Sequence, residues 1–333
     1  MLLPFTYPVS GIMKVWHLII DPFLTEGVAW LICIPLLVVT VRGLILPLNW
    51  MSIRSGRIGA LMRPEMYDLR DRMKAVKDPA EMLALQKEQR ALHERYGYKP
   101  SVGCIPPLIM IPVFLGLYRV ILHMARPDQD ASIGLLTPEE VLSFRSTTFQ
   151  GIPLPAYVSM PDDVAASLGV SGADVKNVIT PWLIAAILFT VANLGISLYR
   201  GFLTTQFDEK LARRLFYFLI FMTVAVPFLL WNAAMNAPVP TAIIVYWACT
   251  NLFTLCQTIV FEFILRKRYA LGDAHHALRR ESWAAFRAGS AKLTKEEKAQ
   301  RKLERKRRGQ LIAQARMLAR KEAEAKQSPE EPA

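Results

Sequence analysis

The 333-residue chain is 53% hydrophobic and 20% charged, with 40 Lys and Arg against 28 Asp and Glu and a formal net charge of +12. Its mean hydropathy of +0.25 is too high for a soluble domain of this size, and its apolar residues are gathered into runs. A soluble enzyme, a disordered chain and an outer-membrane β-barrel, whose strands would alternate, are excluded.

Near the amino terminus Ile12, Val15, Trp16, Ile19 and Ile20 recur at i, i+3, i+4, i+7 and i+8, behind Ser10 as the N-cap. The spacing predicts an amphipathic helix within 1–24, too short to span and lying in the outer interface. Lys14 and His17 fall on its polar face. The first basic residue is Lys14, and Asp21-Pro22 interrupts the apolar run, so no cleavable signal peptide is expected. Crossing a bilayer takes about 20 apolar residues. Five runs are long enough: 28–48, 102–124, 181–199, 215–231 and 241–265. The expected fold class is therefore an all-α membrane protein with five transmembrane helices.

Between the first two spans, segment 55–97 reads as a helical hairpin. Met66, Leu69, Met73 and Val76 form one apolar stripe, and Met82, Leu85, Leu92 and Tyr96 form a second. Asp78-Pro79-Ala80-Glu81 separates them, with an N-cap acid, a proline at the first helical position and a glutamate three residues after the cap. Arg63, Arg70, Arg72, Lys74, Lys87 and Arg90 are left for water or lipid headgroups.

Charge sets the orientation. Segments 49–101, 200–214 and 266–333 hold 11, 4 and 19 Lys and Arg, whereas 125–180 holds 3 against 7 Asp and Glu, and 232–240 holds no charge. Basic segments stay on the cytoplasmic side, which puts the amino terminus outside and the carboxyl terminus inside. The tail 266–333 carries 19 basic against 9 acidic residues, including the run from Arg301 to Arg308. It could be a solvated tail, or be drawn to anionic lipid or to nucleic-acid phosphate. It lacks aromatic interleaving, so sequence-specific DNA binding is not expected.

Within the spans, Arg42 follows a long aliphatic run and precedes Gly43-Leu44-Ile45-Leu46-Pro47-Leu48. At 1.5 Å per residue it lies about 21 Å from Val28 and about 9 Å from Leu48, in the inner leaflet. An arginine at the bilayer centre costs roughly 2.5–3.5 kcal/mol on insertion scales. Two readings stand: the side chain snorkels to the headgroups, or it faces a water-filled cavity as a fixed cation. Thr40, Thr190, Asn193, Thr250, Asn251 and Gln257 recur in three spans, each explicable as helix–helix glue and together suggesting a polar interior. Pro47, Pro106, Pro107, Pro112 and Pro227 free backbone carbonyls that need another helix or water. Glu262 lies four residues before Arg266, an i,i+4 pair. Cys33, Cys104, Cys249 and Cys256 sit in apolar runs without a C-x-x-C pair and read as buried hydrophobes, not metal ligands.

Three motifs in order carry a resemblance. They are Val41-Arg42-Gly43-Leu44-Ile45-Leu46-Pro47-Leu48, the stretch Gly103-Cys104-Ile105-Pro106-Pro107-Leu108-Ile109-Met110-Ile111-Pro112-Val113-Phe114, and Pro240-Thr241-Ala242-Ile243-Ile244-Val245-Tyr246-Trp247-Ala248-Cys249-Thr250-Asn251-Leu252 with Gln257 after it. Over roughly 25–268 the chain resembles the YidC/Oxa family of membrane protein insertases, in the bacterial YidC-like form without the large external domain. Ala242 stands where the family commonly has glycine, and segment 125–180 is longer than the family pattern.

The resemblance implies a five-helix core around a hydrophilic groove open to the cytoplasm, in the plasma membrane of a bacterium. It implies that Arg42, with Thr40, Thr190, Asn193, Asn251 and Gln257, lines the groove and draws in the hydrophilic end of a client. The client's apolar segment then slides along the third and fifth spans. The hairpin with Met66, Leu69, Met73, Leu85 and Leu92 and the basic tail would receive the nascent membrane protein and the ribosome. The Sec translocon is a further candidate partner. No catalytic residue, metal or cofactor is implied, and no G-x-x-x-x-G-K-[ST] loop is present. Small-solute transport and membrane-embedded enzymatic activity are the competing readings. Five spans without an inverted repeat argue against the first. The second needs a convergent catalytic set that the spans do not supply.

Overall fold

The computed structural model describes residues 3–99, 103, 105–125, 132–207, 209–288 and 295–327. Cys104, the start of the second span at Val102, positions 126–131 of the long segment and positions 289–294 and 328–333 of the tail lie outside the described residues. In chain order the helices are α1 (Leu3–Ile20), α2 (Glu26–Leu61), α3 (Arg63–Ala75), α4 (Pro79–Tyr96), α5 (Ile105–Ala125) and α6 (Pro138–Ser146). A short hairpin, β1 (Thr148–Phe149) and β2 (Ile152–Pro153), follows. Then come α7 (Asp162–Ser167), α8 (Gly172–Thr204), α9 (Lys210–Asn236), α10 (Thr241–Arg268), α11 (Asp273–Ala288) and α12 (Lys295–Gln327). Five of them, α2, α5, α8, α9 and α10, are long and apolar enough to cross a membrane, so the protein is an all-α membrane protein. Two compact units result: 1–53 with 101–202 and 214–267, and 54–100 with 203–213 and 268–333.

In the first unit α1 packs on α5. The helix begins at Leu3, so Ser10 lies inside it and is not an N-cap. Of the apolar stripe read from the sequence, Ile12, Trp16 and Ile20 are half-buried against the core, while Val15 and Ile19 point away from it. Thr6, Val9, Ser10, Met13 and His17 are buried, while Val15, Leu18 and Ile19 are 55%, 61% and 51% exposed. The reason is the solvent. Beside lipid an apolar face can point outward at no cost, and it is the polar groups that need protein partners. Lys14 accordingly reaches Glu140 at 3.3 Å and the Leu135 carbonyl at 3.1 Å. His17 stacks on Trp30 with ring centroids 3.9 Å apart.

Segment 125–180 builds much of this unit's core. Thr137 and Glu140 form a capping box at the start of α6, whose Val141 and Phe144 are fully buried. Trp30 donates to the Ser143 hydroxyl at 2.8 Å and meets Phe144 edge-on at 5.7 Å. The β-hairpin turns through Gln150 and Gly151, both at positive φ (51° and 83°), as a two-residue turn between right-twisted strands requires. Gly134, at φ 60°, admits no side chain, because a Cβ there would lie 2.1 Å from the Ser10 hydroxyl. Residues far apart in sequence then close the unit. Ala156 and Leu154 offer their carbonyls to the amides of Thr241 (2.9 Å) and Ala242 (3.2 Å), the first turn of α10. Among the spans α10 is the most buried and α9 the least, so α9 presents Phe218, Phe221, Val224 and Phe228 outward.

The second unit is built on the α3–α4 hairpin. Asp78 caps α4 by accepting from the Glu81 amide at 3.0 Å, and Gly97, at φ 62°, ends it in the left-handed conformation. Met66, Leu69, Met73, Val76, Met82, Leu85 and Leu92 are buried in one cluster with Leu83 and Met62. A third helix joins them. α12 packs on α4 through Ile312, Ala315 and Ala319, with Ala315 fully buried, so this part of the basic tail is docked. α11 is likewise anchored: Trp283 meets Phe207 edge-on at 4.8 Å, and the Arg213 guanidinium lies 4.3 Å from the Phe286 ring centre. Asp78→Ala is expected to cost about 1 kcal/mol, read as faster amide exchange over residues 80–83 with the rest of the hairpin unchanged.

Candidate functional site

Several buried polar residues of the first unit lie on α10. Down its buried side run Tyr246, Thr250, Gln257, Thr258 and Glu262, all less than a tenth exposed. Their spacings of 4, 7, 1 and 4 keep them within one broad helical face. Arg42, half-buried on α2, lies within electrostatic reach of the Tyr246 phenol, and the Thr250 hydroxyl is buried without a hydrogen-bond partner among the described residues. Lower on the same two helices the rings of Trp50 and Phe261 pack 5.2 Å apart. On the other flank the Thr258 hydroxyl donates to the Asn193 side-chain oxygen at 2.6 Å, tying α8 to α10. The Gln257 side-chain oxygen is buried without a hydrogen-bond partner among the described residues. A buried acceptor in that state is costly unless something else supplies a proton.

The six groove residues expected from the resemblance are therefore placed differently from one another. Arg42 meets Tyr246, Asn193 meets Thr258, and Gln257 sits on the same face of α10. Thr190 and Asn251 are half-buried and bond to carbonyls of their own helices, those of Ala186 at 2.7 Å and Trp247 at 2.9 Å. Thr40 is not brought to them. Its hydroxyl accepts from the Trp16 indole at 2.9 Å and donates to the Leu36 carbonyl at 2.8 Å, in an apolar recess shared with α1. Two residues apart on a helix are about 200° apart around it, so Thr40 and Arg42 cannot serve one wall. Tyr246 and Thr258 were missed by sequence reading. Their signal is the spacing to Thr250 and Gln257, which a count of strongly polar residues overlooks.

A second feature borders this row. Toward the Arg268 end of α10, a recess of about 620 Å³ opens between α8 and α10, walled by Ala192, Gly195, Ile196, Ile259 and Phe263 and including Glu262. Glu262 accepts from Arg266 Nε at 3.0 Å, and the Arg266 guanidinium lies 5.4 Å from the Tyr199 ring centre. Among the described residues no group of three or more His, Cys, Asp or Glu is placed to hold a metal. A row of hydroxyl, amide, phenol and carboxylate groups with one cation beside it can bind and release polar groups.

Residues 23–268 match the family model described as the 60Kd inner membrane protein. Among curated proteins, the chain is 40% identical over 290 residues to the membrane protein insertase YidC of Corynebacterium glutamicum, covering 84% of this chain and 69% of the relative. It is 37% identical over 288 residues to that of Corynebacterium efficiens, covering 83% and 72%. It is 31% identical over 289 residues to that of Mycobacterium tuberculosis, covering 79% and 74%.

Proposed function

The chain belongs to the 60Kd inner membrane protein family, and on that premise we propose that it is a membrane protein insertase that integrates and helps fold newly made membrane proteins. The observation that carries this reading is a half-buried Arg42 within electrostatic reach of Tyr246 on the buried polar row of α10. In this reading the polar face is one wall of a hydrophilic groove. A client's hydrophilic end is drawn toward Arg42, and its apolar segment passes along α8 and α10 into lipid.

The physics needs no covalent step. A polar surface part-way across the bilayer shortens the distance a hydrophilic tail must travel through hydrocarbon, and a fixed cation in low dielectric attracts carboxylates strongly. The driving force is the partitioning of the client's apolar segment, about 25 cal/mol per Å². The membrane potential adds about 2.3 kcal/mol per charge per 100 mV. The charge distribution supports an amino terminus outside and a carboxyl terminus in the cytoplasm, with the protein in a bacterial plasma membrane. The hairpin and α12 then face the cytoplasm, where exposed Arg316 and Arg320 offer charge to the ribosome or to anionic lipid. The Sec translocon is a further candidate partner.

Reconstitution tests the proposal. The purified chain in liposomes should raise insertion of a short single-span client well above that of protein-free liposomes. Flux of a small ion with no effect on insertion would replace this reading with a channel or transporter.

A further inference from the structure

Glu262 does more than pair with its helical neighbour. The residue is 7% exposed, and its Oε1 accepts from Arg266. Its Oε2 is buried with no hydrogen-bond partner among the described residues. The Arg266 side chain is 60% exposed and leans over Tyr199, so it compensates one oxygen from the rim of the recess and leaves the other. A carboxylate held this way in apolar surroundings is unfavourable until a second cation or donor arrives. Besides Glu262 and Arg266 the recess is walled by aliphatic and aromatic side chains, and Gly195 opens it further, since a Cβ there would meet nothing within 4 Å.

We propose that Glu262 receives the Lys or Arg that flanks the cytoplasmic end of a client's apolar segment while that segment occupies the recess between α8 and α10. This rests on the insertase reading and adds a specificity-determining residue to it. Charge complementarity selects the occupant. An apolar helix with a basic flank on its cytoplasmic side is what the positive-inside rule makes of a membrane protein segment. The apolar walls suit the segment, and the unpaired oxygen suits the flank.

The test uses the full-length chain in liposomes and two single-span clients that differ only in their cytoplasmic flank, Lys-Lys or Ser-Ser. The wild type should insert the Lys-Lys client about fivefold better. Glu262→Gln, which keeps the shape, should reduce that preference below twofold by lowering insertion of the Lys-Lys client more than that of the Ser-Ser client, and Glu262→Asp should restore part of it. Arg266→Gln removes the same ion pair but leaves the carboxylate, so the preference should persist. Equal loss for both clients in Glu262→Gln, an undiminished preference, or loss of preference in Arg266→Gln would overturn the proposal. So would a Glu262 effect confined to vesicles containing phosphatidylethanolamine and missing from phosphatidylglycerol alone, which would make a lipid ammonium the occupant. Failure of the wild type to insert either client would instead refute the insertase reading itself.

Discussion

Arg42→Ala is expected to reduce insertion of a single-span client with an acidic external tail about seventeenfold, while a client with a neutral tail loses much less. Two unit charges about 10 Å apart at an effective dielectric constant of about 20 attract by about 1.7 kcal/mol, which sets that factor. Arg42→Lys should retain much of the activity on the acidic-tailed client. It keeps the charge and gives up only the planar fork that suits bidentate partners. The measurement is protease protection of the client tail in sealed proteoliposomes, with Tyr246→Phe as a companion. Arg42 meets the Tyr246 phenol, so removing that hydroxyl should leave the cation in place and cost far less than removing the cation. Equal loss for acidic and neutral tails in Arg42→Ala would refute charge attraction as the way clients are drawn in.

Ala315→Glu is expected to undock α12 from the hairpin. Ala315 is fully buried against the apolar cluster of α3 and α4, flanked one turn away by Ile312 and Ala319. The contact stripe is narrow, on a helix whose remaining surface carries many charges beside exposed Leu303, Met317 and Leu318. A glutamate there must bury an unpaired carboxylate or displace the helix, and the first costs several kcal/mol. Undocking is the cheaper outcome. Amide protection over residues 300–325 should fall sharply, with α3 and α4 keeping most of theirs through their own Met and Leu contacts. Ala315→Ser, nearly the same volume, should change little. Unaltered protection in Ala315→Glu would mean that α12 is held by something other than this stripe.

Some of this architecture is legible residue by residue. The five spans follow from uninterrupted apolar runs, because a bilayer-crossing segment must satisfy its own backbone and so becomes a helix. Their ends are less legible. α2 runs from Glu26 to Leu61, and α8 from Gly172 to Thr204, well past the apolar windows 28–48 and 181–199. A helix does not stop where its side chains become polar. The turn before α4 was readable for a different reason: Asp78, Pro79 and Glu81 act on backbone groups within one turn of themselves.

The candidate site was readable only in part. Arg42 stands out because a charge in an apolar run needs an explanation. Thr40, an equally polar choice two residues earlier, belongs to a different wall, and only its bond to Trp16, 24 residues away, reveals this. Tyr246, Thr258 and the free oxygen of Glu262 acquire meaning only from which helix lies beside them.

By itself, then, the sequence determined that the chain is helical, that it crosses a membrane five times, and that the guanidinium of Arg42 lies inside the first of those crossings. These depend on local composition and on the demand that buried backbone be hydrogen-bonded. The tertiary structure alone decided that α1 buries Thr6, Ser10 and His17 beside Val9 and Met13, and that segment 125–180 supplies core to α10. It alone also decided that part of the tail docks on the hairpin and that Arg42 faces Tyr246. Each of those is a choice between surfaces of similar composition. With lipid as the solvent, hydrophobicity no longer distinguishes inside from outside, and the choice falls to polar contacts between residues distant in the chain.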